Sequence, residues 1–294
     1  MQQARGFTLS ARDCMASVGF DVHYIDSRAG HGSVPLAILA PLAQWAHLAP
    51  EVPIVLWTTR GTKVPETVLA ALGKDGSHLL LPAHFGEGAR AAFRGKSHAL
   101  AHSKYPYALH LDLDSWPCAR SIALLQSLQG TADVVWSAAP RFPCGGIQGG
   151  RCGLHVSAEL DLDPELQLFR QFRERNTGTL LLTRRSPTVL AWLAAVDRIY
   201  SRHLAGGVPL YHGIAEQPAW REATFLWRHN LTERLLPSAQ ACRHSAGVAH
   251  NDSPCGCLCE CSDCTFVHDQ LPFQQCCENA STSLGFPPSV CGAT

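Results

Sequence analysis

Charge is scarce in this sequence and evenly split. Lys plus Arg and Asp plus Glu number 24 each among 294 residues, 16% charged in all, for a formal net charge of zero. Such a balance offers no electrostatic footprint for a nucleic-acid backbone or an anionic membrane, and neither is expected as a partner. Long apolar runs are missing too. The most apolar candidate, residues 34–50, is broken by Pro35, Pro41, Gln44 and His47, so no transmembrane segment is expected. The first thirty residues also lack the apolar run of a signal peptide. Two expectations follow: a soluble intracellular protein, or one whose N-terminal anchor lies outside this sequence. No internal repeat is present, which excludes solenoid and propeller architectures.

What is there is a folded globular chain. Hydrophobic residues make up 46%, and the length suffices for one large domain or two small ones. Cysteine is abundant and uneven: there are 13, eight of them after residue 254. Three of the four Asn residues, Asn230, Asn251 and Asn279, open an Asn-x-Ser/Thr glycosylation pattern, with Pro254 spoiling the second. Together these features point to the lumen of the secretory pathway (Golgi or endoplasmic reticulum), with the cytoplasm as the alternative. In an oxidising lumen the Cys255–Cys264 run, with Cys276, Cys277 and Cys291, forms disulfides, with Cys242 or Cys152 as further partners. In a reducing compartment the same thiolates bind zinc. An odd number of cysteines leaves at least one thiol unpaired within the chain.

The first half alternates strand and helix patterns. Strands are expected at 20–26, 52–58, 78–81, 109–113 and 133–138, with helices at 35–47, 65–72, 93–102 and 122–128 between them. That alternation predicts an α/β fold with a mostly parallel central sheet flanked by helices. Residues 140–165 are Pro- and Gly-rich and read as a long loop of the kind that binds substrate. A strand at 179–183 and helices at 186–200 and 215–228 follow. The expected division is a catalytic domain over 1–250 and an irregular Cys-rich tail over 251–294.

The chemistry concentrates in Leu109-His110-Leu111-Asp112-Leu113-Asp114, an apolar strand ending in two carboxylates one residue apart. Side chains alternate along a strand, so Asp112 and Asp114 share a face. Two carboxylates there repel each other and resist desolvation, and a divalent cation carrying a phosphate resolves the conflict. The carboxyl end of a central strand is also where open α/β sheets bind ligands.

Further motifs follow in order. Asn176-Thr177-Gly178 opens the apolar strand Thr179-Leu180-Leu181-Leu182, Glu216-Gln217-Pro218-Ala219 comes next, and Phe266-Val267-His268 is a late strand ending in His. Upstream stand Arg94, Lys96, Leu100, Tyr105-Pro106 and Leu109. In this order the motifs resemble those of nucleotide-diphospho-sugar transferases with an Asp-x-Asp motif and the GT-A (Rossmann-like) fold, over roughly residues 20–270. The resemblance implies a glycosyltransferase, moving a hexose or pentose from a nucleotide-diphosphate sugar to a carbohydrate or glycoprotein acceptor. It implies Mn²⁺, or Mg²⁺, as cofactor, held by Asp112, Asp114 and His268. Asp112, Asn176, Gly178, Arg94 and Lys96 would bind the donor, and Glu216 and Gln217 would lie near the reacting carbon. This chain departs from the family in having Glu216 where Asp is usual, and Asp269-Gln270-Leu271-Pro272 where a Lys commonly follows the late His.

Two other functions fit parts of the pattern. A GT-A-like domain without turnover would serve as a binding or scaffold module. Haloacid-dehalogenase-like phosphatases also place Asp-x-Asp after an apolar strand, but on the first strand and with Thr or Val where this chain has Trp116.

Overall fold

The computed structural model describes residues 20–25, 32–113, 115–117, 121–138, 168–169, 172, 175–183, 185–205, 216–236, 241–244 and 266–269. The strands are β1 (Phe20–Ile25), β2 (Ile54–Thr58), β3 (Ser77–Leu80), β4 (Tyr107–Asp112), β5 (Ser115–Pro117), β6 (Val134–Ala138), β7 (Arg175–Leu182), β8 (Glu233–Leu236), β9 (Ala241–His244) and β10 (Phe266–Asp269). The helices are α1 (Leu39–Leu48, after a 3-10 turn at Leu36–Ile38), α2 (Glu66–Ala71), α3 (Gly88–Ala101), α4 (Ser121–Leu128), α5 (Pro187–Ala205) and α6 (Gln217–Leu226).

Seven strands form one sheet in the order β3-β2-β1-β4-β7-β6-β8. β1 is parallel to both β2 and β4, and β7 is antiparallel to both β4 and β6. The chain steps outward from β1 to β2 and β3, then returns to lay β4 on the other side of β1. That reversal is the topological switch point at which doubly wound sheets bind ligands. Asp112 ends β4 at this point, paired in register with Ile25 of β1. A second, three-stranded sheet runs β5-β10-β9, with β10 antiparallel to β5.

Both faces of the large sheet are covered, and β1 and β2 are buried along their whole length. On one face Val22, Tyr24, Leu56, Leu109 and Leu111 pack against Leu42 and Trp45 of α1, Val68 of α2 and Leu125 of α4. On the other, Trp136 of β6, Trp192 of α5 and Trp220 of α6 meet edge to face, with centroids 5.3–5.8 Å apart. All three rings are buried, and the core they build closes on Leu100 of α3. Helix α3 covers Ile25, Val55 and Trp57, and comes close because Gly95 has no Cβ; one placed there would lie 2.8 Å from the Leu81 methyls.

The parallel first half matches the sequence expectation, and most element boundaries fall within a few residues of it. Helix α3 starts earlier than expected, at Gly88, because the small residues Gly88 and Ala89 carry no apolar pattern yet continue the turn. Strands β5, β8 and β9 were not expected. The 140–165 loop, most of the 251–294 tail and the sulfur chemistry of its cysteines lie outside the described residues. No helix among the described residues is long and apolar enough to cross a membrane.

Burial pulls the His98 imidazole down from its ordinary 6.5 to about 4, assisted by His102. The folded protein therefore keeps His98 neutral where the unfolded chain binds a proton. Its contribution to stability is complete above pH 6.5 and is lost as pH falls towards 4. Thermal melts across that window should show a falling midpoint, and the fall should be shallower in His98→Gln. Trp192→Ala, which opens the tryptophan cluster, should cost about 3–5 kcal/mol in chemical denaturation.

Candidate active site

Burying a lysine is costly unless its charge is met, and Lys96 of α3 is 3% exposed. Its Nζ donates to Asp112 Oδ1 at 2.8 Å and to Glu216 Oε1 at 2.7 Å, with Thr177 Oγ1 at 3.4 Å. Burial alone would discharge this ammonium, but Asp112 and Glu216 outweigh that and hold it above its ordinary range, so it stays charged. Thr177 of β7 donates to the same Glu216 oxygen at 2.6 Å. Glu216 stands at the N-terminal end of α6, where the helix dipole favours a carboxylate. Three distant parts of the chain thus meet at the carboxyl end of β4. The packing leaves the Tyr200 hydroxyl raised above its ordinary range by burial and by the Glu216 charge.

The backbone beyond Asp112 is fixed from two directions. Ser115 Oγ donates to the Gly178 carbonyl at 3.2 Å, and Tyr24 Oη reaches the Ser115 carbonyl while accepting from Trp45 Nε1 at 2.9 Å. β10 pairs with β5 so that His268 stands directly opposite Ser115, the residue after Asp114 in sequence.

Of the residues singled out in the sequence, the structure brings Asp112, Lys96 and Glu216 into direct contact, and sets Gly178 beside Ser115. Gln217 opens α6, half-buried next to Glu216. Asn176 lies in β7 opposite Ser137, and His268 lies in β10; their side chains, and Asp114 entirely, lie outside the described residues. Arg94 is not brought to the cluster. It faces α5, where its guanidinium bonds both oxygens of Asp197, Nη2 to Oδ2 at 3.0 Å, and covers the Phe85 ring at 4.2 Å. Two site residues escaped the sequence reading. Thr177 sits between two motif residues, and His110 stands two before Asp112, hence on the same strand face; period-two alternation was the available signal for His110.

Among the described residues no three Asp, Glu, His or Cys side chains converge as a metal cage. The donor set expected for the ion is two carboxylates and an imidazole, which suits Mn²⁺. Its sequence-distant member, His268, lies on β10 in register with Ser115 of β5.

This strand order matches the GT-A fold. Solved structures of the galactosyltransferase LgtC are similar to the chain. An active-site mutant of LgtC matches 90% of this chain and 95% of its own at 10% identity, with a TM-score of 0.53. LgtC in complex with donor and acceptor sugar analogs matches the same shares at 11% identity and a TM-score of 0.49. No family model and no curated protein matches the sequence.

Removing the ammonium while keeping its stem leaves two carboxylates facing each other without a cation. Lys96→Met should therefore destabilise the fold by about 3–5 kcal/mol, read from the urea midpoint. Adding Glu216→Gln to that variant should recover part of the loss.

Proposed function

We propose that this protein is a metal-dependent glycosyltransferase that moves a sugar from a nucleotide-diphosphate donor to a carbohydrate or glycoprotein acceptor. The observation that carries the reading is the charge-paired Asp112–Lys96–Glu216 cluster, seated at the switch point of a sheet shared with a glycosyltransferase. Sugar transfer needs a diphosphate whose departing charge is stabilised and a donor sugar held still. Asp112, Asp114 and His268 would hold a divalent cation, Mn²⁺ or Mg²⁺, which when bound acts as a Lewis acid on the leaving diphosphate.

The remaining residues position the sugar. Lys96 and Thr177 both point at Glu216 Oε1, so one oxygen of that carboxylate is fixed at the start of α6. Glu216 and Gln217 then face the reacting carbon as a rigid unit with the helix behind them. Asn176 and Gly178 would line the sugar pocket, with Gly178 allowing close approach of the backbone. Arg94, engaged with Asp197, has no part in this reading. We place the protein in the secretory lumen, a reading supported by the Cys content and by the exposed sequon residue Asn230.

The test is a panel of UDP-, GDP- and other nucleotide sugars with Mn²⁺ or EDTA, with nucleotide release as the readout. Release from one donor should require Mn²⁺ and fall by about 10²-fold or more in Asp114→Asn. Mn²⁺-dependent donor binding without release, with acceptors present, would instead indicate a scaffold protein. Neither binding nor release would overturn the reading.

A further inference from the structure

The face of the sheet beneath α3 carries a row of ionisable groups of which the proposed chemistry uses only Asp112. Asp21 and His23 stand two apart on β1, and His110 and Asp112 stand two apart on β4. His23 and His110 are partners in the parallel register, so the two imidazoles occupy neighbouring positions on the same face. Both are essentially inaccessible to solvent.

Their hydrogen bonds assign the protons. His110 meets a carboxylate along its own strand. Its Nε2 lies 3.1 Å from Asp112 Oδ1. A carboxylate only accepts, so His110 carries its proton on Nε2 and donates it. Nδ1 is buried with no hydrogen-bond partner among the described residues, so nothing there holds a second proton and it is left a bare acceptor. Across the register, His23 Nδ1 accepts from Trp57 Nε1 at 3.0 Å, which puts the His23 proton on Nε2. That nitrogen is 3.1 Å from Asp21 Oδ1, off the angle of a proper hydrogen bond, and Asp21 Oδ1 also accepts from Ser103 at 2.7 Å. One buried imidazole thus offers a poorly aimed donor beside another that offers an unmet acceptor.

We propose that His110 is a positioning residue for the metal-holding carboxylate of Asp112, its tautomer set by this row. Asp112 Oδ1 receives two donors, Lys96 Nζ at 2.8 Å and His110 Nε2 at 3.1 Å. Lys96 is a flexible four-carbon stem, whereas His110 is a rigid ring on the same strand as its acceptor. The ring fixes the rotation of the carboxylate, and the ammonium supplies its charge. Hydrogen-bonded carboxylates of this kind hold metal 10–100-fold more tightly than unsupported ones.

The inference rests on the glycosyltransferase reading, and the experiment separates the two. Mn²⁺ alone is titrated into wild type, His110→Leu, His110→Gln and Asp112→Asn, and free ion is counted by electron paramagnetic resonance. His110→Leu should weaken binding about 10–100-fold. His110→Gln, whose Nε2 can donate to Asp112, should restore it to within a few-fold of wild type. Imidazole ¹⁵N shifts of the wild-type protein should show His110 protonated on Nε2. Unchanged Mn²⁺ affinity in His110→Leu beside lost binding in Asp112→Asn would overturn the positioning role and leave the metal site standing. A wild type that binds no Mn²⁺ through Asp112 would overturn both. A proton on Nδ1 of His110 would overturn the assignment even if the leucine variant fails to fold.

Discussion

One ammonium group organises this molecule. Lys96 is buried, charged and shared between Asp112 and Glu216, and none of the three could occupy its place without the others. An unpaired charge in that position would be far more costly than any single hydrogen bond in the structure returns. The requirement reaches outward. Helix α3 must sit close enough to the sheet to deliver Lys96, which is why Gly95 precedes it. Helix α6 must begin where Glu216 can meet it, and β7 must carry Thr177 alongside. The apolar core tolerates many substitutions of similar volume, but this triad fixes the relative placement of three elements.

How much of this was legible in the sequence depends on the kind of signal. The alternating elements of the first half were readable because β1, β2 and β4 are short apolar runs separated by amphipathic helices, and periodicity reports burial directly. Strands β5, β8 and β9 were not, because three or four residues such as Ser115-Trp116-Pro117 are too few for any period. Pairing gives them their structure, and pairing is not local. The antiparallel run of β7 between β4 and β6 has the same origin: nothing within Arg175–Leu182 states which way it will lie.

The site divides in the same way. Asp112, Lys96 and Glu216 were each singled out from their own short motifs, yet their mutual contact is a property of the fold. Arg94 lies apart from these three. It stands two residues before Lys96, a spacing that turns it well round the helix, and it serves to join α3 to α5 through Asp197. Charge and position in the sequence suggested a ligand-binding role; helix geometry directed the side chain elsewhere. His110 is the converse case, a residue with no motif whose strand face alone set it beside Asp112.

The contact between Lys96 and Glu216 closes a separation of 120 residues, and that has a consequence for how the chain comes off the ribosome. At about 5–20 residues per second, Lys96 is made on the order of ten seconds before its second carboxylate exists. During that interval α3 has no means of burying its charge fully, so the first half of the sheet must wait with that side open. The Arg94–Asp197 pair, closing a separation of 103 residues, waits nearly as long. The later helices α5 and α6 bring Asp197 and Glu216, so the Lys96 cluster is complete only after both have emerged.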